Sequence, residues 1–210
     1  HRVCTGPAVH GGHLYTCYQK GPYVVDARSG ALLDQEEAID GYDVLGITPA
    51  RVFGDRLLCG TFTEGLFSWV LDAEGALDAS WRDTSIRVTA APAATTGGRV
   101  WLRTLTGLRA YDVATGEASD ETLLSWVQVP SAPLPLGEAV VTTGRMGRPA
   151  ALKADGAVLW TRSLGHPLAT FELNRYDHPA PLASPIAVAD GVVIAGPDGV
   201  LRILDPADGA

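Results

Sequence analysis

Lysine is almost missing from this chain: of its 16 basic residues, only Lys20 and Lys153 are not arginine. No basic run forms, and a net charge of -8 with a pI near 5.0 repels a phosphate backbone, so nucleic acid would need a local patch that the sequence lacks. The arginine skew fits a high-GC bacterial genome and carries no functional weight. Long apolar runs are missing too. Gly, Pro or a charge interrupts every apolar stretch before it reaches the roughly 20 residues of a membrane span. Cysteine is scarce, and Cys4, Cys17 and Cys59 show no close CxxC pairing, which argues against a disulfide framework. Helix signals are nearly absent. Only Asp34 to Asp40 could form a turn or so of helix, where one repeat passes to the next. There is no signal peptide, yet the chain opens on His1 rather than Met, which reads as a processed, trimmed or excised N-terminus; the compartment stays open, leaning to an extracytoplasmic one.

What is present is a repeat. Five times an apolar or aromatic stretch runs into an aspartate, two or three small or polar residues, and a glycine. The copies are Tyr23 to Gly30, Phe67 to Gly75, Leu108 to Gly116, Ala150 to Gly156 and Leu201 to Gly209. Their glycines lie 45, 41, 40 and 53 residues apart, a period that means solenoid repeats or four-stranded propeller blades. With 46% apolar residues the chain can bury a real core. In the third unit the run Arg99 to Arg103 alternates Val100 and Leu102 with Arg99 and Arg103, which suits a strand with one buried face.

The expected fold is therefore all-β: a β-propeller of four-stranded antiparallel blades, forming a single domain or part of one over residues 1–210. The repeats fall at about 5–47, 48–90, 91–130, 131–182 and 183–210. In the first unit, strands are expected near 5–10, 13–18, 21–27 and 31–34. The fifth unit runs out before its outer strand, which suggests a longer propeller and makes the remainder of a longer chain one expected partner.

The aspartates Asp26, Asp72, Asp112, Asp155 and Asp205 are expected to accept hydrogen bonds from the turn backbone. Gly30, Gly75, Gly116, Gly156 and Gly209 are expected to close those turns at positive φ. The fourth-to-fifth connection, Thr161 to Leu182, is longer than its equivalents and rich in polar and aromatic groups. Long polar insertions on a rigid scaffold are where binding residues concentrate, so Asn174, Arg175, Tyr176, Asp177 and His178 are the candidates for a protein or small-ligand partner.

Other constellations carry less. His10 and His13 with Cys4 and Cys17 invite zinc, but the spacing is not that of a finger, and both histidines fall on a hairpin tip. Glu36, Glu37, Asp40 and Asp43 lack the ligand alternation of a calcium loop. Asp177 and His178 near Ser184 lack a nucleophile elbow, so no catalytic or metal residue is assigned. The five tryptophans at related places in the repeats are read as core, with Trp81, Trp101 and Trp160 packing between blades.

The phrase Leu108-Arg-Ala-Tyr-Asp-Val-Ala-Thr-Gly116 resembles the blade motif of pyrroloquinoline quinone (PQQ) type propellers, within the WD40/YVTN-like superfold. The family's docking tryptophan, four after glycine, is matched by Trp160 in Asp155-Gly-Ala-Val-Leu-Trp160, whereas Trp81 falls two positions late after Gly75. The resembled superfamily holds quinoprotein dehydrogenases, the propeller lipoprotein of outer-membrane β-barrel assembly, and propeller domains fused to kinases or phosphoesterases. Neither its adjacent-cysteine disulfide nor a calcium constellation is recognisable, so PQQ and calcium are not expected. The resulting expectation is a noncatalytic propeller scaffold and binding module. The alternative is a divergent quinoprotein dehydrogenase or the propeller domain of a larger enzyme.

Overall fold

The computed structural model describes residues 6–18, 21–36, 48–94, 98–119, 122–123, 132–137, 139–143, 148–153, 155–164, 170–173, 176–179, 184–196 and 198–210. Among these the protein is all-β, with no helix. The first sheet holds β1 (Ala8–His10), β2 (His13–Tyr18), β3 (Gly21–Asp26) and β4 (Leu32–Gln35) in sequence order. The second holds β5 (Arg51–Phe53), β6 (Arg56–Thr61), β7 (Gly65–Leu71) and β8 (Leu77–Asp83), and the third β9 (Ala93–Ala94), β10 (Arg99–Arg103), β11 (Gly107–Asp112) and β12 (Thr122–Leu123). The fourth holds β13 (Leu134–Leu136), β14 (Ala139–Thr142), β15 (Ala150–Leu152) and β16 (Val158–Thr161). A two-stranded hairpin follows, β17 (Thr170–Leu173) with β18 (Tyr176–Pro179), and then a three-stranded sheet, β19 (Ile186–Val188), β20 (Gly191–Ala195) and β21 (Leu201–Leu204). Each sheet meanders, neighbour to antiparallel neighbour, because tight turns let consecutive strands pair.

The chain divides into two compact units, His1–Pro92 with Asp112–Glu117, and Ala93–Tyr111 with Ala118–Ala210. In the first unit Ala8, Tyr15, Cys17 and Val24 of the first sheet pack with Leu57, Cys59, Phe67, Trp69, Leu71 and Leu77 of the second. In the second unit one cluster joins Trp101, Leu108 and Ala110 to Val140, Ala150 and Leu152, and another joins Val141, Ala151 and Trp160 to Val192, Ile194 and Leu204. Each fully buried leucine or valine contributes about 1.5–3 kcal/mol relative to exposure.

Two local expectations fail. Asp34 and Gln35 belong to strand β4 rather than to a helical turn, because Asp34 pairs with Val24 and its carboxylate accepts the Leu77 N–H at 3.0 Å. The alternation in β10 does not mark one buried face: Arg103 is 0% exposed and Trp101 1%, so that strand is covered on both sides. A pleated strand buried on both faces loses the period-2 contrast on which the reading relied.

The outer strands share a device that positions the docking residues. Opposite Val24/Val25, Ser68/Trp69 and Ala151/Leu152 the register shifts by one residue, leaving Leu33, Ser80 and Leu159 as the extra residues of β-bulges. Just past the bulge, Asp34, Trp81 and Trp160 occupy equivalent places, paired with Val24, Ser68 and Ala151. Trp81 is late only in counting. The β7/β8 hairpin is longer by the pairs Val70–Asp78 and Leu71–Leu77, which move Gly75 outward without moving the tryptophan.

Candidate functional site

The five aspartate-to-glycine turns form two classes. In three, aspartate opens a five-residue turn and its carbonyl accepts the glycine N–H: Gly30 to Asp26 at 2.9 Å, Gly116 to Asp112 at 2.9 Å and Gly209 to Asp205 at 2.7 Å. The carboxylates bind the turn interior. Asp26 Oδ1 accepts Arg28 N, Ser29 N and Ser29 Oγ, Asp112 Oδ1 accepts Ala114 N, Thr115 N and Thr115 Oγ1, and Asp205 Oδ1 accepts Ala207 N. The Ser29 hydroxyl, then the Ser29 and Arg28 N–H groups, hold the Asp26 carboxyl below its ordinary value. In the other two turns Gly75 N bonds Asp72 O at 3.1 Å and Gly156 N bonds Lys153 O at 2.9 Å, four residues end to end. Asp155 thus stands third in its turn, accepting Ala157 N at 2.9 Å, and does not open it. All five glycines have φ between 74° and 86°.

Two of the five-residue turns carry a tryptophan. Trp81 Nε1 donates to Val113 O at 3.0 Å within the first unit, and Trp160 Nε1 donates to Pro206 O at 2.9 Å within the second. The indoles lie so close that a Cβ on Gly116 or Gly209 would meet ring carbons at 2.6 or 2.8 Å. Glycine is therefore required twice over, for its dihedral and for the room it leaves. Trp101 has a different place, in the core of the second unit, where its indole N–H has no partner among the described residues. At the four-residue Gly75 turn, the His13 ring and the Tyr15 hydroxyl take the tryptophan's part. His13 consequently packs edge-on to Tyr15, 6.3 Å between centroids, instead of pointing into solvent, while His10 is exposed.

Of the binding candidates, Asn174 and Arg175 lie outside the described residues. The insertion around them is a hairpin: Tyr176, Asp177 and His178 are on β18, paired with Leu173, Glu172 and Phe171 of β17. Cys4, Glu37, Asp40, Asp43 and Trp126 also lie outside the described residues. Among those described, no three His, Cys, Asp or Glu side chains converge. Cys17 and Cys59 are free and buried, and burial followed by the neighbouring Cys59 thiol pushes the Cys17 thiol well up.

A cleft in the first unit brings together residues that sequence spacing keeps apart. Glu36, Phe67, Ser68, Trp69, Ala79, Ser80, Trp81 and Arg82 line a cavity of about 340 Å³ at the β7/β8 bulge. Phe67 stacks on Trp69 at 5.9 Å and 20°, and the Trp69 indole donates to the Glu36 carboxylate. Ser80 accepts Arg56 Nη1 at 2.6 Å, and the Ser68 hydroxyl is buried with no partner among the described residues. In the second unit Arg103 is wholly buried; its Nη1 donates to Thr142 Oγ1 at 3.0 Å and Thr143 O at 2.9 Å. Burial pushes its pKa down to about 9, so it keeps its charge at neutral pH.

Solved structures share the fold. The computationally designed Ika8 protein matches over 99% of this chain and 60% of its own, with a TM-score of 0.68 and 15% identity. BamB from Moraxella catarrhalis matches over 93% and 67%, at 0.58 and 14%. The quinohemoprotein alcohol dehydrogenase from Comamonas testosteroni matches over 99% and 42%, at 0.68 and 15%. The likeness is one of fold. BamB and the dehydrogenase are PQQ-like β-propellers, and this chain spans three fifths of Ika8 and under half of the dehydrogenase. No family model matches the sequence, and no curated protein does. No helix among the described residues is long and apolar enough to cross a membrane.

Proposed function

We propose that the chain is a noncatalytic PQQ-like propeller module that binds a protein or small ligand without a cofactor of its own. The observation that carries this reading is the cleft at the β7/β8 bulge, lined by Trp69, Trp81, Glu36, Arg82, Ser68 and Ser80. Apolar walls with a few convergent polar groups are what small-ligand sites are made of. The chemistry suits a ligand with a flat apolar face and both donor and acceptor groups: rings to pack on, and Arg82, Glu36 and Ser68 to orient it. The β17/β18 hairpin is the second candidate surface, better suited to a protein: Tyr176, Asp177 and His178 lie on its second strand, and Asn174 and Arg175, outside the described residues, complete the set to be tested.

Two measurements test this. Tryptophan fluorescence should respond saturably to a ligand in a metabolite panel, and Arg82→Ala together with Ser68→Ala should weaken that response at least tenfold, about 1.4 kcal/mol. Alanine substitutions at 174, 175, 176 and 178 should abolish capture of a protein partner; capture that survives all four removes the hairpin from the binding surface. The likeness to the quinohemoprotein dehydrogenase supports a second reading, a divergent quinoprotein or the propeller part of a larger enzyme. Dye reduction on adding PQQ with calcium would favour it over the scaffold.

A further inference from the structure

We propose that Cys17 and Cys59 are the two halves of a disulfide that joins the first sheet to the second when the chain folds in the presence of a disulfide oxidant. The two thiols are 42 residues apart in sequence, on β2 and β6, and both are buried in the core that the two sheets share. They face each other. Tyr15 and Cys17 lie on one face of β2 and Leu57 and Cys59 on one face of β6, two residues apart in each case, and all four belong to that core.

The repeat shows that these two places meet. In the second and fourth sheets the first hairpin closes on the pairs Phe53–Arg56 and Leu136–Ala139, so Thr142, three residues after Ala139, stands where Cys59 stands after Arg56. Cys17 directly precedes Tyr18, which pairs with Gly21 to close the next hairpin, as Arg103 directly precedes Thr104, whose N–H bonds Gly107 O at 3.0 Å. Arg103 therefore matches Cys17. The matched residues touch across their own junction in the second unit, where Arg103 Nη1 donates to Thr142 Oγ1 at 3.0 Å. In the first unit the same places carry sulfur, and the Cys17 thiol donates to the Cys59 sulfur, a contact that adds to burial in pushing the Cys17 thiol up. Both side chains are short, so contact between their sulfurs requires the two strands themselves to approach, as a disulfide requires.

In the reduced protein each thiol packs as a small apolar residue. The bond forms by exchange. One thiol gives its proton to solvent, and the thiolate attacks a sulfur of a small disulfide such as oxidised glutathione, expelling one glutathione thiolate with the electron pair of the broken bond. The second protein thiolate then attacks the protein sulfur of the mixed disulfide and expels the other glutathione, so that two protein thiols become one disulfide and the reagent is reduced to two thiols. Burial sets the timing. The closed sheets shield both sulfurs from reagent, so oxidation belongs to folding, before the sheets meet, and the finished bond is shielded from reductant in the same way. The staple thereby records where the chain folded, joined in an oxidising compartment and open in a reducing one.

The inference goes beyond the binding reading and does not depend on it. The test uses the parent chain, so that Cys4, which lies outside the described residues, stays in place as a competitor. One sample is refolded from denaturant with oxidised and reduced glutathione, and another with dithiothreitol. The oxidised product should give a non-reduced peptide map that joins Cys17 to Cys59, and should melt roughly 5–15 °C above the reduced product. Native oxidised protein should keep the bond in dithiothreitol and lose it once denaturant is added. Cys59→Ala should abolish the difference between the two midpoints. Free thiols at both positions after oxidative refolding, or a map that joins Cys4 to either of them, overturns the proposal. So does a Cys17 to Cys59 bond that leaves the midpoint unchanged or lowers it, because sulfurs that face each other at native spacing bridge without strain.

Discussion

Gly116→Ala probes the turn, the indole and their fit at once. At φ 75° an L-residue is strained by about 1–2 kcal/mol. The new Cβ would stand 2.6 Å from Cδ2 of Trp81, so the ring must move. Moving it stretches the Nε1 bond to Val113 O, worth about 1 kcal/mol. The half-buried ring also loses part of its packing, where full truncation of a buried tryptophan costs about 3–5 kcal/mol. Together these place Gly116→Ala at about 2–4 kcal/mol, with Trp81→Ala close to it. In the double variant the clash disappears with the ring, and only the dihedral strain is added to the loss of tryptophan. The cycle should therefore fall short of additivity by about 1–2 kcal/mol. At about 2–4 °C per kcal/mol for a chain of this size, each single variant should melt roughly 5–15 °C lower. Thermal denaturation of the four proteins by circular dichroism measures all the terms. Strict additivity would show that Gly116 is needed for its dihedral alone, and the docking argument would fail.

Asp112→Ala should cost about 1 kcal/mol, and Asp112→Asn less, because alanine strands the Ala114 and Thr115 N–H groups whereas asparagine can still accept them; chemical denaturation midpoints of the pair decide it. Cys17 and Cys59 should resist iodoacetamide in the folded protein and react on unfolding, since both are buried and the Cys17 thiol is pushed up; rapid native labelling would contradict that core. The Asp198 carboxyl is held at about 2, first by the Arg202 guanidinium and then by the Val200 N–H. Because the folded value lies below the ordinary 3.8, the unfolded chain takes up the proton first as pH falls. The pair's contribution is present above about pH 4 and disappears towards pH 2; NMR titration of the carboxyl should show the low midpoint, and Asp198→Asn should flatten this part of the acid unfolding curve.

Strands and turns were legible because alternating apolar runs separated by Asp and Gly have few other solutions. The places of β2 and β3 follow directly from His13-Leu-Tyr-Thr-Cys-Tyr18 and Gly21-Pro-Tyr-Val-Val-Asp26. The turn classes were not legible. Asp155-Gly156 reads like a shortened Asp112 to Gly116, yet the hydrogen bond runs from Gly156 to Lys153 and shifts the aspartate's role. Nor could counting from glycine reveal that Trp81 and Trp160 are equivalent, because hairpin length enters the count and register does not. The cleft was hidden for another reason. Glu36, just past the end of β4, and Arg82 of β8 are brought together by packing, of which a linear sequence carries no periodic trace. Arg103 was misread because its neighbours on both faces are determined by tertiary burial.

The two turn classes also help fix which sheet follows which. If every turn accepted the same docking group, any sheet could stack on any other at nearly equal energy, and a repeat chain would populate misordered stacks. Here the Gly75 turn is met by His13, Tyr15 and the Asp34 carboxylate, whereas the Gly116 and Gly209 turns are met by indoles. Putting a tryptophan against the four-residue turn would set it in the space that His13 and Tyr15 fill, and putting Asp34 against a five-residue turn would place a carboxylate facing the carbonyl that expects an indole N–H. Either error leaves a buried acceptor or ring without its partner, a penalty of about 1–3 kcal/mol per interface. The prediction is an exchange. Asp34→Trp should destabilise the first unit despite adding apolar surface, and Trp81→Asp should cost more than Trp81→Ala, because the carboxylate is repelled by Val113 O. If Asp34→Trp instead raises the midpoint, the classes are interchangeable and sheet order rests on the strand connections alone.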